Sequence, residues 1–156
     1  ETVDEVYAQI EAQVKSFYEN EVEAKPGVKN LLSLLKMEGV WMYVATATDR
    51  HLAEEALRHA GIRDCFRGLV TSAETGAGKD VSPEIYERAM RRLRSNKKDT
   101  VIFEDALHAI RTAKAAGFRV AAIYDPSAEE DQAEIRALAD YYFRSFEELF
   151  ETRALE

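Results

Sequence analysis

Apolar residues in the first part of the chain recur at the spacing of one helix face. Over residues 3–22 this pattern predicts a long amphipathic helix, with Val3, Val6, Tyr7, Ile10, Val14, Phe17 and Tyr18 on its apolar side. Pro26 and Gly27 interrupt the pattern. A second helix is predicted from Val28 to the glycine at position 39, because its leucines again lie three and four positions apart.

Short apolar runs alternate with helical patterns along the rest of the chain. They predict strands over residues 41–45, 68–71, 100–103, 119–124 and 141–143. The run over residues 41–45 is nearly continuous, so we expect that strand to be covered on both faces. Residues 72–79 are predicted to form a loop. Caps or glycines that end helices are predicted at Asp49, Gly61, Ser82 with Pro83, Gly117, and Ser127 with Glu130.

Strands that alternate with helices, over connections too long for hairpins, indicate an α/β fold. We therefore expect a doubly wound parallel sheet with helices on both faces. A length of 156 residues with 46% hydrophobic content is enough to bury one good core.

The charge balance excludes several classes of partner. Because 29 acidic residues oppose 21 basic ones, the net charge of −8 repels both nucleic acid and anionic membrane surfaces. No apolar run approaches the roughly 20 residues needed to cross a bilayer, and the first residues lack a basic stretch before an apolar one. We expect a soluble cytoplasmic protein. Cys65 has no second cysteine with which to form a disulfide or a metal site.

Ligands of such a sheet bind at the carboxyl ends of the strands, and the first candidate there is Thr46 with Ala47 and Thr48. A hydroxyl and free backbone N–H groups before a helix could hold a phosphoryl oxygen. The alternative is that either threonine serves only the local turn.

Lys79 is the second candidate, in a loop of small residues that lets its ammonium reach inward to neutralise phosphate charge. The alternative is a solvated surface lysine, the common situation for this residue type.

Glu104 and Asp105 are the third candidate, because they directly follow a predicted strand. Carboxylates clustered in this way suit Mg²⁺, which completes its shell with water and phosphate. The alternative is that Asp105 caps the following helix.

Four stretches resemble the haloacid dehalogenase superfamily, in particular its phosphoglucomutase-like phosphatase branch, over residues 26–150. They are Pro26, Gly27 and Val28 with Leu31 and Leu32; Val44, Ala45 and Thr46; Lys79 with Pro83, Ile85 and Tyr86; and Phe103, Glu104 and Asp105 through Ala115, Ala116 and Gly117. The first resembles the start of the branch's core, and the others its second, third and fourth motifs. The fourth motif is the most distinctive.

The resemblance implies a Mg²⁺-dependent phosphatase of small phosphorylated metabolites, or a sugar phosphomutase, on a Rossmann-like core. In it Thr46 would orient the phosphoryl group and Lys79 would stabilise its charge. Asp105 would bind Mg²⁺ with Glu104 beside it. Such chemistry depends mostly on positioning and electrostatics around a nucleophilic carboxylate.

The family's first motif, a strand that ends in two aspartates one residue apart, has no counterpart in this sequence. Asp125 follows an apolar strand, but Pro126 and Ser127 come next, so we do not assign it as the nucleophile. In the family that first strand lies between those of the second and fourth motifs, and its loss would split the sheet. We therefore expect an N-terminal segment of the parent protein to supply it. Residues 1–25 would be the last helix of a cap domain, residues 26–156 the core, and this chain alone would be inactive.

Two other functional classes share some of these residue types. A phospho-receiver domain also combines acidic residues, a hydroxyl and a lysine, but its acidic residues come first and its lysine last, the reverse of the order here. A pseudoenzyme or regulatory module that binds Mg²⁺ or phosphate without turnover stays open. The three histidines are read as surface residues, because their spacing does not converge on a metal: His51, His59 and His108.

Overall fold

The structure is a computed structural model and describes residues 24–154. The helix predicted over residues 3–22, and with it the cap-domain assignment, lies outside the described residues. No helix in the described part is long and apolar enough to span a membrane.

Strands and helices alternate along residues 24–154 in an α/β fold. The helices are α1 (Val28–Met37), α2 (Arg50–His59), α3 (Ser72–Thr75), α4 (Glu84–Arg92), α5 (Leu107–Ala115), α6 (Gln132–Leu138) and α7 (Phe146–Ala154). The strands are β1 (Val44–Thr46), β2 (Leu69–Thr71), β3 (Val101–Glu104), β4 (Arg119–Ile123) and β5 (Tyr141–Phe143). Short 3₁₀ helices span Arg63–Cys65, Lys97–Asp99 and Pro126–Asp131.

The described strands form two separate parallel sheets. β1 pairs with β2, with Ala45 opposite Val70. The other sheet has the order β3-β4-β5, with Ile102 opposite Val120. Helices cover both sides of this arrangement, which confirms the predicted fold class, but the sheet is not continuous between β1 and β3.

The main core forms around β4, the central strand of the larger sheet. Four consecutive residues of β4 are buried because it has a neighbour on each edge and helices over its faces, whereas Val101 and Phe103 of β3 are exposed on one face. Burying a large aliphatic or aromatic side chain contributes about 1.5–3 kcal/mol. The largest fully buried side chains are Leu69, Val70, Ile85, Ile110, Phe118, Val120 and Ile135.

The prediction for residues 41–45 was wrong in extent and in burial. β1 begins at Val44 and includes Thr46, and all of its residues are half-buried. Trp41 is 52% exposed, and the guanidinium of Arg67 lies 3.6 Å from the centre of its ring. The physical reason is that, among the described strands, β1 pairs only with β2, so less of the protein encloses this apolar run than encloses β4.

Two local predictions were also wrong. Residues 72–75 form α3 instead of a loop, because the Thr71 hydroxyl caps the backbone N–H of Glu74 at 3.3 Å. The capping box at Ser127 and Glu130 does not form. Instead Asp125 accepts the backbone N–H of Ser127 at 2.9 Å and begins a 3₁₀ helix.

Other predicted helix ends are confirmed. Asp49 accepts the backbone N–H of His51 at 3.0 Å, and Gly61 and Gly117 have the left-handed conformation after α2 and α5. Ser82 accepts the N–H of Glu84 at 3.1 Å, although the helix begins one residue later than predicted, after Pro83.

Arg94 is the one non-glycine residue with a positive φ, 56°, among residues 24–154. It follows α4 in a Schellman-type end, in which Ser95 donates its N–H to Met90 O at 3.1 Å. A residue with a side chain costs about 1–2 kcal/mol in this left-handed conformation. Glycine avoids that cost but loses more conformational entropy on folding, which offsets part of the gain. We expect Arg94→Gly to raise the free energy of unfolding in urea by about 1 kcal/mol.

The control for this prediction is Arg94→Ala, which removes the charge but keeps the Cβ atom. It is expected to stay within about 0.5 kcal/mol of the unmodified chain. An equal gain from alanine would show that the charge, and not the backbone, causes the effect.

Candidate functional site

Lys79 joins the carboxyl ends of β1 and β3. Its ammonium donates to the backbone oxygen of Ala45 at 2.9 Å and to Oε1 of Glu104 at 2.6 Å. The side chain is only 15% exposed. The alternative of a solvated surface lysine is therefore wrong, and the lysine's charge is directed at the strand ends.

Glu104 is the partner of Lys79 and is itself 10% exposed. Its Oε1 also accepts the phenol O–H of Tyr86 at 2.7 Å. Burial of Tyr86, together with the neighbouring Glu104 charge, raises the pKa of this phenol far above its usual range. The phenol therefore stays protonated and serves as a donor to the carboxylate.

Thr46 lies at the end of β1, where its Oγ1 accepts the backbone N–H of Thr48 at 3.0 Å. This is the local turn that the alternative interpretation expected. The bond orders the turn before α2, where Ala47 is exposed. Because the oxygen accepts this bond, the hydroxyl hydrogen is left to donate.

Asp105 follows β3 and does not cap the next helix, so that alternative is wrong. The residue that precedes α5 is Ala106, which makes no side-chain cap bond. The Asp105 carboxylate is 44% exposed, and its nearest described cation is the ammonium of Lys25 at 3.7 Å.

Lys25 makes a closer ion pair, at 2.6 Å, with Asp125, which follows β4 in the chain. This contact and the bonds from Ser127 hold the pKa of Asp125 well below its usual range. Asp125 is thus an ionised partner of Lys25 and the N-cap of the 3₁₀ helix Pro126–Asp131.

Sequence reasoning did not assign Lys25 or Tyr86 to the site. Lys25 carried no signal, because its partner lies 100 positions away. The apolar pattern and the third motif predicted Tyr86 on the buried face of its helix. They gave no sign that its hydroxyl contacts Glu104.

The donors at the end of β3 fit Mg²⁺ in part. Asp105 offers an accessible carboxylate, while Oε1 of Glu104 is already bonded to Lys79 and Tyr86. Mg²⁺ needs only one or two protein carboxylates, with water and phosphate completing its shell. Within residues 24–154 no group of three or more histidine, cysteine or acidic side chains could hold a metal. The three histidines are exposed, as predicted.

Comparisons with known proteins point to one family. Residues 1–117 match the haloacid dehalogenase-like hydrolase family. Hexitol phosphatase B of Escherichia coli is 28% identical over 145 residues, which cover 93% of this chain and 64% of that protein. The bifunctional riboflavin kinase/FMN phosphatase of Arabidopsis thaliana is 32% identical over 105 residues, covering 67% of this chain and 27% of that protein.

A solved structure agrees with the sequence matches. CbbY from Rhodobacter sphaeroides, in complex with xylulose-1,5-bisphosphate, superposes with a TM-score of 0.79 and 30% identity. The match covers 94% of this chain and 64% of that one. The chain thus spans between 27% and 64% of the length of the three relatives named here.

Proposed function

The chain belongs to the haloacid dehalogenase-like hydrolase family, and from that premise we propose that it is the core of a Mg²⁺-dependent phosphomonoester hydrolase, or of a sugar phosphomutase. The observation that carries the proposal is the Lys79 ammonium, held almost out of solvent between Ala45 and Glu104 at the strand ends. A cation held in this way stabilises phosphoryl charge strongly, because its surroundings are drier than bulk water.

The other residues take the roles that the family resemblance gives them. Thr46 would donate its hydroxyl hydrogen to a phosphoryl oxygen, beside the backbone N–H of exposed Ala47. Glu104 would hold Lys79 in place. Asp105 would bind Mg²⁺, whose charge, when bound, offsets that of the transferring phosphoryl group.

We also propose that a strand from a preceding segment lies between β1 and β3 and brings the nucleophilic aspartate. Two observations support this. The described strands form two separate sheets at that point, and the sequence contains no pair of aspartates one residue apart. Residues 1–25 would be the last helix of the cap domain that selects the substrate. Without the added strand this chain would be inactive.

The proposed substrate is a small phosphorylated metabolite. The support is that the relatives are named as phosphatases of hexitol phosphates and of FMN, and that CbbY was crystallised with a sugar bisphosphate. The strongly acidic chain does not favour a polyanionic macromolecule as substrate.

A second candidate is a non-catalytic module that binds phosphate or Mg²⁺. The observation in its favour is that the two aspartates at the site have other contacts. Asp125 is bonded to Lys25 and Ser127, and Asp105 faces Lys25. Neither is an unengaged nucleophile.

The test is phosphate release from a panel that includes hexitol phosphates, FMN and p-nitrophenyl phosphate, with Mg²⁺ or with EDTA. Two samples are compared: this chain, and a longer polypeptide with a strand ending in Asp-x-Asp ahead of it. We expect Mg²⁺-dependent turnover from the longer polypeptide alone. Turnover by this chain would contradict the missing-strand proposal. A folded longer polypeptide that binds phosphate without turnover would favour the non-catalytic module.

A further inference from the structure

Tyr86 has its ring in the core and its hydroxyl in the candidate site. The residue is 3% exposed and lies on α4 next to buried Ile85. Its ring meets that of Phe118 edge to face, with 6.3 Å between ring centres. The ring therefore cannot swing away from the site without opening the core.

Glu104 receives two donors on one oxygen. The Tyr86 hydroxyl lies 2.7 Å and the Lys79 ammonium 2.6 Å from Oε1. Bonds to an ionised carboxylate are short and strong, and two of them from different elements restrict the rotation of the side chain. Among the side chains of residues 24–154, Glu104 without that hydroxyl would keep its partner on the loop, Lys79.

Lys79 lies on a segment that does little to fix its long side chain. The residues before it are Gly76, Ala77 and Gly78, and Gly76 has a φ of 74°. The ammonium also lies 5.7 Å from the centre of the Tyr86 ring, a contact that Tyr86→Phe would keep. Its direction otherwise depends on its two acceptors, Ala45 O and Glu104. Of these, Glu104 is the one that a residue of the rigid core holds.

We propose that Tyr86 is a positioning residue, which fixes Glu104 so that Glu104 directs Lys79 at the phosphoryl group. The effect of this positioning on catalysis rests on the proposed function, but the contacts among Tyr86, Glu104 and Lys79 do not depend on it. Tyr86 acts through Glu104, and so its removal is expected to slow the chemical step more than it weakens substrate binding.

The geometry is tested in this chain by ¹⁵N NMR of the lysine ammonium groups, with hydrogen exchange at Lys79 as the readout. We expect Tyr86→Phe to speed that exchange at least tenfold. The control is Tyr43→Phe, which removes a hydroxyl bonded to Arg92 at 3.0 Å and should leave Lys79 unchanged. 4-Amino-phenylalanine at position 86, which keeps a donor in a ring of similar size, should restore slow exchange. Exchange at Lys79 as slow in Tyr86→Phe as in the unmodified chain would overturn the proposal.

The catalytic consequence is tested in the polypeptide that hydrolyses phosphomonoesters. Tyr86→Phe is expected to lower kcat about tenfold, with KM changed by less than about twofold. A tenfold change in rate corresponds to about the free energy that one hydrogen bond contributes. A lower melting temperature with unchanged kcat would overturn the positioning role. If the unmodified polypeptide hydrolyses no ester, the proposed function fails, and the NMR comparison still decides the geometry. If Tyr86→Phe does not fold, the 4-amino-phenylalanine variant decides it, because fast exchange in that variant would contradict the proposal.

Discussion

Replacing Lys79 with methionine is expected to lower kcat by a factor on the order of 10²–10³ and to destabilise the fold at the same time. Methionine keeps much of the length and loses the charge, so Glu104 stays nearly buried without its cation. An unpaired carboxylate that is this nearly buried destabilises the folded state by about 2 kcal/mol. Loss of a preorganised donor to the transition state costs on the order of 10²–10³ in kcat. Urea unfolding of this chain measures the first effect, and phosphate release by the longer polypeptide measures the second.

Lys97→Met is the matched control, because the ammonium of Lys97 also donates to a backbone oxygen, that of Ala116 at 2.6 Å, but forms no ion pair within the described part of the chain. We expect a loss below about 1 kcal/mol and no change in kcat. Equal losses from the two substitutions would contradict a special role for the pair at Lys79.

The double variant Lys79→Met with Glu104→Gln separates charge from packing. In the double variant a neutral amide replaces the unpaired carboxylate. We therefore expect it to recover at least half of the stability lost in Lys79→Met. Turnover should not recover, since the phosphoryl group still lacks its cation. A double variant as unstable as the sum of the two single variants would show that the contact between the charges contributes little.

The alternation of elements was predictable because it depends on local periods of apolar residues. The order of strands and helices, the Asp49 cap and the left-handed glycines follow from such periods and from residue type. The burial of residues 41–45 was not predictable in this way. Trp41 and Phe103 belong to apolar runs, yet both are exposed, because coverage depends on which neighbours each strand has.

The candidate site was predictable as a set of residues but not as a network. Thr46, Lys79, Glu104 and Asp105 were found because each follows a strand or lies in a loop at the same edge of the sheet. The bond between Lys79 and Glu104 spans 25 positions and that between Lys25 and Asp125 spans 100. Nothing local in the sequence encodes these pairings. They follow from how the strands come together.

Ala45→Pro is expected to leave this chain almost unchanged and to lower the stability and turnover of the longer polypeptide. Val44 donates its N–H to Gly68 O, on the edge of β1 that faces β2, at 3.0 Å. Because successive residues of a strand direct their backbone groups to alternate edges, the N–H and C=O of Ala45 point to the other edge, away from β2. Ala45 O confirms this direction, because its partner is Lys79 and not β2. Proline at Ala45 therefore removes an N–H only from the open edge of β1, where it is tolerated.

Val44→Pro is the matched variant, one position away on the paired edge. Its loss of the bond to Gly68 O is expected to cost about 2 kcal/mol in this chain, against less than about 1 kcal/mol for Ala45→Pro. In the longer polypeptide Ala45→Pro should lower both the added stability and the turnover, because proline then stands between two paired strands and removes a ladder hydrogen bond to the inserted one. If that polypeptide with Ala45→Pro keeps its full stability and activity, the added strand does not lie beside β1. The gap between the two sheets would then need another explanation.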